Sequence, residues 1–108
     1  MVQKMNTTTV SETDKKAVNE LQGTALLNTA ICQFLMKDYQ RSVNNAQESL
    51  KFSRTVKGYY RLGQAYKAMH NYDDAIKAYT EGRDMDPSDP NGIQKEIEKC
   101  HQLENAKE

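Results

Sequence analysis

The sequence predicts an all-α protein in which two helical hairpins stack into a short solenoid that a C-terminal helix caps. Residues 57–87 consist of two amphipathic segments separated by a turn and closed by Asp-Pro. A weaker copy lies 33 residues upstream, where Tyr39 aligns with Tyr72 and Met36 with Met69. Only 2 prolines and 5 glycines interrupt the chain of 108 residues. Because repeats of about 33 to 34 residues are typical of stacked helical pairs, these observations predict a helical-hairpin solenoid.

The first hairpin is predicted in residues 22–55, but its first helix begins earlier. Residues 1–12 are polar and rich in threonine, and we expect this segment to be disordered. A capping-box pattern at Ser11 predicts the start of a helix that runs to about Met36. The second helix is predicted from Tyr39 to Phe52. Three of its apolar residues face inward: Val43, Ala46 and Leu50.

The second hairpin is predicted in residues 56–89, with helices Val56–Met69 and Tyr72–Met85. Asn71 breaks the chain between the two helices, and we expect Asp73 to cap the second one. Pro87 ends that helix because proline cannot continue a helical hydrogen-bond ladder.

A capping helix is predicted over residues 90–106, with Pro90 in its first position. Its apolar residues recur at helical spacing: Ile93, Ile97, Cys100 and Leu103. The helical domain as a whole is predicted over residues 13–107. Charged residues between the apolar ones suit the outer face of a terminal solenoid helix.

The charge balance favours a protein partner over nucleic acid or a membrane. Lys plus Arg and Asp plus Glu number 15 each, so the net charge is zero. The stretch between Ser49 and Tyr72 nevertheless holds five basic residues and no acidic one: Lys51, Arg54, Lys57, Arg61 and Lys67. Such a local cationic segment is expected to attract an anionic partner.

No run of 18 apolar residues and no signal-peptide pattern is found, so we expect a cytoplasmic protein. Cys32 and Cys100 lie far apart without Cys-x-x-Cys spacing, and we expect both to be buried or half-buried free thiols. His101 beside Cys100 has no further ligand cluster, so no metal site is expected. No arrangement typical of a catalytic site or of a cofactor site is found, and no enzyme activity is expected.

The second hairpin resembles the tetratricopeptide repeat family. The residues that carry the resemblance stand at the family's offsets: Tyr59, Leu62, Gly63, Tyr66, Ala75, Tyr79 and Pro87. The upstream copy departs from the pattern at Ser42 and Gln33, and Ser53-Arg54-Thr55 replaces its Asp-Pro turn with one residue deleted. The resemblance implies a non-catalytic module for protein–protein interaction, in which the first helix of each pair lines a concave groove.

Candidate binding residues follow from that groove. Lys57 and Arg61 lie four residues apart and share one helix face, which Gln64 continues. Asn28 aligns with Arg61 in the upstream copy, and Ile31 continues its stripe. Two cations and a carboxamide can hold a carboxylate through charge-assisted hydrogen bonds. The pattern therefore predicts a peptide-binding strip.

The strip also resembles co-chaperones that clamp the acidic C-terminal tail of heat-shock chaperones. The matching strings are Leu27-Asn28-Thr29-Ala30 and Lys57-Gly58-Tyr59-Tyr60-Arg61. The resemblance is closest to the C-terminal repeats of immunophilin-type proteins, the large cyclophilins and FK506-binding proteins, and small glutamine-rich and stress-inducible co-chaperones match almost as well. It implies a heat-shock chaperone tail as partner. The family clamp takes a further Lys and Asn from an earlier repeat. Lys15 and Asn19 have that spacing but precede Asn28 on the same predicted helix.

Two alternatives remain, because the first helix would leave one apolar flank uncovered. In one, the protein is a structural scaffold that forms a homo-oligomer, or docks on a larger protein, through that flank. In the other, the chain is a C-terminal fragment of a peptidyl-prolyl isomerase that lacks its catalytic domain.

Overall fold

The computed structural model describes residues 12–89 and 92–106, and within them the chain forms five helices and no strand. The helices are α1 (Glu12–Leu35), α2 (Tyr39–Phe52), α3 (Val56–Ala68), α4 (Tyr72–Met85) and α5 (Ile93–Ala106). The predicted all-α class, with two hairpins and a closing helix, is confirmed. The described residues leave out residues 1–11 of the segment predicted as disordered, Ser11 of the predicted capping box, and Lys107 at the end of the predicted domain. Glu12 is the first residue of α1.

Each helix packs mainly against its neighbours in the chain. The pairs are α1 with α2, α2 with α3, α3 with α4, and α4 with α5. The first helices of the two hairpins, α1 and α3, also contact each other directly, though less extensively. This order places α1 and α3 side by side, so that a groove can run between them.

The turns inside the two hairpins have the same backbone conformation, 33 residues apart. Lys37 and His70 both adopt the left-handed conformation, with φ of 67° and 64°. The next amide in each turn donates to the carbonyl five residues back, Asp38 to Gln33 at 2.8 Å and Asn71 to Tyr66 at 2.9 Å. These are Schellman helix ends. The backbone therefore repeats with the period seen in the sequence.

Capping differs between the helices that follow these turns. The carboxylate of Asp38 accepts a hydrogen bond from the amide of Arg41 at 3.4 Å at the start of α2. At the start of α4 the N-cap position is Asn71, and Asp73 lies within the first turn, so the predicted cap by Asp73 is wrong. The Asn71 carboxamide donates to Asp74 at 2.7 Å instead of accepting from the backbone.

The core consists of two clusters that follow one another along the stack. The first cluster joins α1, α2, α3 and α4, and its members are Ala30, Val43, Ala46, Leu62, Ala65 and Ala78. The second cluster joins α4 to α5, and its members are Tyr72, Ala75, Tyr79, Ile93, Ile97 and Cys100. Burial of α5 through Ile93 and Ile97 confirms the predicted inner face of that helix. Leu103 is 39% exposed and lies at the edge of this face.

The helices of the second hairpin approach closely at Gly63. A Cβ atom at this position would lie 2.6 Å from the ring of Tyr79, which is fully buried. The equivalent residues of the first hairpin are Ala30 and Ala46. Alanine is larger than the glycine at position 63 and smaller than the tyrosine at position 79, so the first hairpin fills the same contact with two residues of similar size. Ser42 donates from its buried hydroxyl to the Ala30 carbonyl at 2.7 Å, which satisfies the polar group that departs from the repeat pattern.

Helix α5 begins at Ile93, three residues later than predicted. The carboxylate of Asp89 accepts hydrogen bonds from the amides of Ile93 at 2.7 Å and Gln94 at 2.9 Å, which sets the start of the helix. Pro90 lies outside the described residues, so its predicted position in the helix is not described. The prediction for Cys32 is also wrong, because its side chain is exposed, whereas Cys100 is buried as predicted.

Candidate functional site

At one end of the groove between α1 and α3, Gly23 of α1 lies close to the C-terminal end of α2. A Cβ atom here would lie 3.0 Å from Cβ of Ser53, and the Ser49 hydroxyl donates to the Gly23 carbonyl at 2.6 Å. Beside this contact lies a small depression of about 160 Å³. Its lining residues are Gly23, Thr24, Leu27, Asn28, Ser53, Thr55 and Lys57. The fold therefore brings Asn28 and Lys57 together, although they lie in different repeats.

The surroundings of Lys57 favour an anion. Its side chain is exposed, and among the described residues no carboxylate lies within 4.0 Å of its ammonium group. Lys57 lies in the first turn of α3, and this turn contains no acidic residue. The partial positive charge at the N-terminus of a helix adds to that of the ammonium group. A carboxylate placed in this depression would meet positive potential from both sources.

Arg61 follows one helical turn later and is held in place by its neighbours. Its Nη1 atom donates to Oε1 of Gln64 at 3.1 Å, and its guanidinium lies 6.0 Å from the centre of the Tyr60 ring. Its Nε atom is buried and has no hydrogen-bond partner among the described residues. A guanidinium fixed in this way loses less conformational entropy when it binds a carboxylate.

A second, larger depression of about 340 Å³ lies farther along α3. Its lining residues are Phe34, Gln64, Lys67, Ala68, His70, Tyr72 and Leu103. Lys57, Arg61, Gln64 and Ala68 lie on one face of α3 and connect the two depressions. Because a helix rises ~1.5 Å per residue, this face spans about 16 Å, which about five residues of an extended peptide would cover.

The structure distributes the predicted residues along this groove. Asn28 and Lys57 share the first depression, Gln64 lines the second, and Arg61 lies between them. Ile31 is half-buried on α1 and lines neither depression. Sequence reasoning missed Phe34 and Lys67. The spacing of three residues between Gln64 and Lys67 could have indicated that both line the same depression. Phe34 lines that depression only because of the way α1 packs beside α3.

Lys67 is engaged in an ion-pair cluster with α5. Its Nζ atom lies 3.0 Å from the carboxylate of Glu96, which also pairs with Lys99 at 3.2 Å. Burial raises the pKa of the Glu96 carboxyl, but hydrogen bonds from Lys67 and Lys99 outweigh burial and hold the pKa below its usual value. The cluster joins the rim of the second depression to the capping helix. Burial also raises the pKa of the Cys100 thiol, which therefore stays protonated.

The part of the chain that the structure describes holds neither a metal-binding cluster nor a membrane-spanning helix. No group of three or more His, Cys, Asp or Glu side chains there is placed to hold a metal ion. None of the helices formed by residues 12–89 and 92–106 combines the length and apolar character needed to cross a membrane.

Stacked antiparallel hairpins with a groove along their first helices define the class of helical-repeat proteins. Residues 56–89, which include α3, α4 and the turn that follows them, match the family model described as tetratricopeptide repeat. Over these residues the chain is similar to the tetratricopeptide repeat family, and the hairpin fold agrees with that similarity. Such repeats are typically non-catalytic modules for protein–protein interaction.

Proposed function

We propose that the protein is an adaptor whose groove binds the acidic C-terminus of an extended peptide. The observation that carries this proposal is the meeting of Asn28 and Lys57 in one depression whose described lining includes no carboxylate. An uncompensated cation at the start of a helix favours an anionic partner. The face of α3 beyond it is long enough for about five residues of an extended peptide.

The two ends of the groove suit different parts of such a peptide. At the first depression, the terminal carboxylate accepts hydrogen bonds from the ammonium of Lys57 and the carboxamide of Asn28. Arg61 pairs with a second carboxylate of the peptide, one or two residues before its C-terminus. At the second depression, Phe34 and Leu103 offer apolar contacts. The ligand that fits this order is a short segment with an apolar residue upstream of acidic ones.

The tail of a heat-shock chaperone is the partner that we propose for this groove. Support comes from the resemblance of the strings around Asn28 and Lys57 to the clamps of immunophilin-type co-chaperones. Lys15 and Asn19, which have the spacing of the remaining clamp residues, line a separate, wider depression with Arg54. Ser53 borders both depressions. Because those two contacts are displaced, binding is expected to be weaker than in a complete clamp.

A titration with a peptide that ends in Glu-Glu-Val-Asp tests the proposal. We expect salt-sensitive binding that Lys57→Ala and Arg61→Ala each weaken at least tenfold. Lys51→Ala is the matched control, because Lys51 pairs with Glu48 on α2 and lies away from the groove. The same peptide with an amidated C-terminus should bind more weakly. Affinity that is indifferent to Lys57 and Arg61, or equal for the two peptides, would contradict the proposal.

A further inference from the structure

Helix α1 carries a second stripe that lies away from the core. Gly23, Leu27 and Ala30 are buried on its inner face. On another face, two series of residues recur every seven positions. The first series is Val18, Ala25 and Cys32, and the second is Leu21, Asn28 and Leu35. All six side chains are exposed, Leu21 to 71% and Leu35 to 74%.

The spacing of this stripe is that of a coiled-coil seam. Residues alternate at steps of three and four, so Val18, Ala25 and Cys32 occupy one seam position and the second series occupies the other. The six residues are called the outer seam below. Packing in the α1–α2 hairpin does not cover it, and every residue from Asp14 to Gln22 is exposed. One helix thus presents two packing faces, of which the described chain covers one.

We propose that the outer seam binds the outer seam of a second copy of this chain in antiparallel orientation. The reason is self-complementarity. Two antiparallel α1 helices can be aligned so that the two-fold axis passes midway between Ala25 and Asn28. In that register each larger residue faces a smaller or complementary residue of the second copy. The pairs, each with the second copy, are Val18 with Leu35, Leu21 with Cys32, and Ala25 with Asn28. The same surface serves both copies, as a two-fold interface requires.

Charge at the ends of the helix selects the antiparallel orientation. Asp14 continues the seam toward the N-terminus of α1, and Lys37 lies just beyond its C-terminus, exposed in the structure. Antiparallel packing brings the Asp14 end of one copy near the Lys37 end of the other. Parallel packing would instead place the two Asp14 carboxylates opposite each other, which is repulsive.

Asn28 sets the register of the pair. In the antiparallel alignment the two Asn28 residues lie on either side of the two-fold axis, about 4 to 5 Å apart along the helices. Their carboxamides can hydrogen-bond to each other there, and a polar residue in an apolar seam disfavours shifted registers. Asn28 also lines the groove beside Lys57. If the groove binds peptide as proposed above, peptide and second copy compete for this side chain.

Sedimentation equilibrium over a range of concentrations tests the inference. For the unmodified chain, the average mass should rise with concentration from one chain toward two. Leu21→Glu should raise the dissociation constant of the dimer at least tenfold, because it places one carboxylate per copy in the seam, opposite Cys32 of the second copy. Asn19→Glu is the matched control, because Asn19 is also exposed on α1 but lies off the seam. A chain that stays monomeric throughout, or a Leu21→Glu variant that dimerises as well as the control, overturns the inference.

Cross-linking tests the orientation. In the antiparallel pair, Leu21→Cys faces Cys32 of the second copy, so mild oxidation should yield a covalent dimer. Within one copy these positions are about 16 Å apart along the helix, too far for a disulfide. Asn19→Cys should yield no such dimer. A rapid Cys32–Cys32 dimer of the unmodified chain would show parallel packing and overturn the proposed orientation.

Peptide titration of the Leu21→Glu variant separates this inference from the proposed function. The variant loses the dimer but keeps Lys57 and Arg61, so peptide binding should remain.

Discussion

The packing of Gly63 against Tyr79 determines how closely the helices of the second hairpin approach. The ring of Tyr79 occupies the space that a Cβ atom at Gly63 would need. We expect Gly63→Ala to destabilise the protein by about 1 to 3 kcal/mol, as overpacking does, although alanine is the better helix former. Denaturant unfolding measures this. Tyr79→Leu should reduce the cost of the alanine, and a neutral Gly63→Ala would contradict the account of the contact.

The left-handed turn residues provide a paired test of backbone strain. Lys37 and His70 have nearly the same positive φ, which glycine adopts more readily than other residues. Lys37→Gly should therefore stabilise the protein by roughly 0.5 to 1 kcal/mol. His70→Gly should gain less, because Nδ1 of His70 lies 2.9 Å from the Tyr72 hydroxyl and that contact would be lost. Thermal unfolding at low protein concentration compares the two. Equal effects would mean that the histidine contact contributes nothing.

At the scale of helices, the ion pairs of Glu96 link the capping helix to the second hairpin. Because the pKa of Glu96 is lowered by folding, its contribution is present at neutral pH and is lost as the pH falls through the range below its ordinary value of 4.5. Glu96→Gln should lower the stability at pH 7 by about 1 kcal/mol. The difference from the unmodified protein should shrink as the pH falls below 4.5, because the Glu96 carboxyl then becomes protonated in the folded protein as well.

Glu98→Gln is the matched control for this prediction, because Glu98 is exposed on the same helix and makes only a 3.3 Å contact with Gln94. Its stability should follow that of the unmodified protein from pH 7 to pH 3. A Glu96→Gln variant with an unchanged pH dependence would show that the ion pairs do not contribute to docking of α5.

Turn chemistry explains which helix bounds could be predicted from the sequence. Helices α2 and α4 begin and end where expected, because a Schellman turn and an Asp or Asn precede each of them. The start of α5 was predicted too early, since Pro90 suggested a first position while the Asp89 carboxylate bonds the amides of Ile93 and Gln94. Asp73 was favoured over Asn71 because cap preference does not reveal where a left-handed turn ends.

Some of the groove residues could be predicted, because spacing on one helix and the repeat period indicate which residues share a face. Lys57 and Arg61 follow from spacing on one helix, and Asn28 follows from the repeat period. Phe34 and Leu103 join the second depression only through the way α1 and α5 pack around α3, which spacing within one helix does not specify. The exposure of Cys32 was missed because the pattern of α1 contains two apolar faces, and the sequence does not say which one α2 covers.

At the scale of the whole molecule, the two proposals divide α1 between different partners. Its inner face holds α2, its groove face offers Asn28 to a peptide, and its outer seam is available to a second copy. Because Asn28 belongs to both of the last two surfaces, saturating peptide should shift the association equilibrium toward single chains. That linkage is reciprocal: the dimer should bind peptide more weakly than the monomer.

The most direct test of peptide binding in the groove is an NMR titration that follows each residue. Peptide ending in Glu-Glu-Val-Asp is added to labelled Leu21→Glu protein, which keeps the groove but removes the seam contact. We expect the largest shifts at the side-chain amide of Asn28, at the amide of Lys57 and at Nε of Arg61, with little change on the exposed face of α5. Shifts confined to other surfaces, or no saturable shift at these three residues, would contradict it.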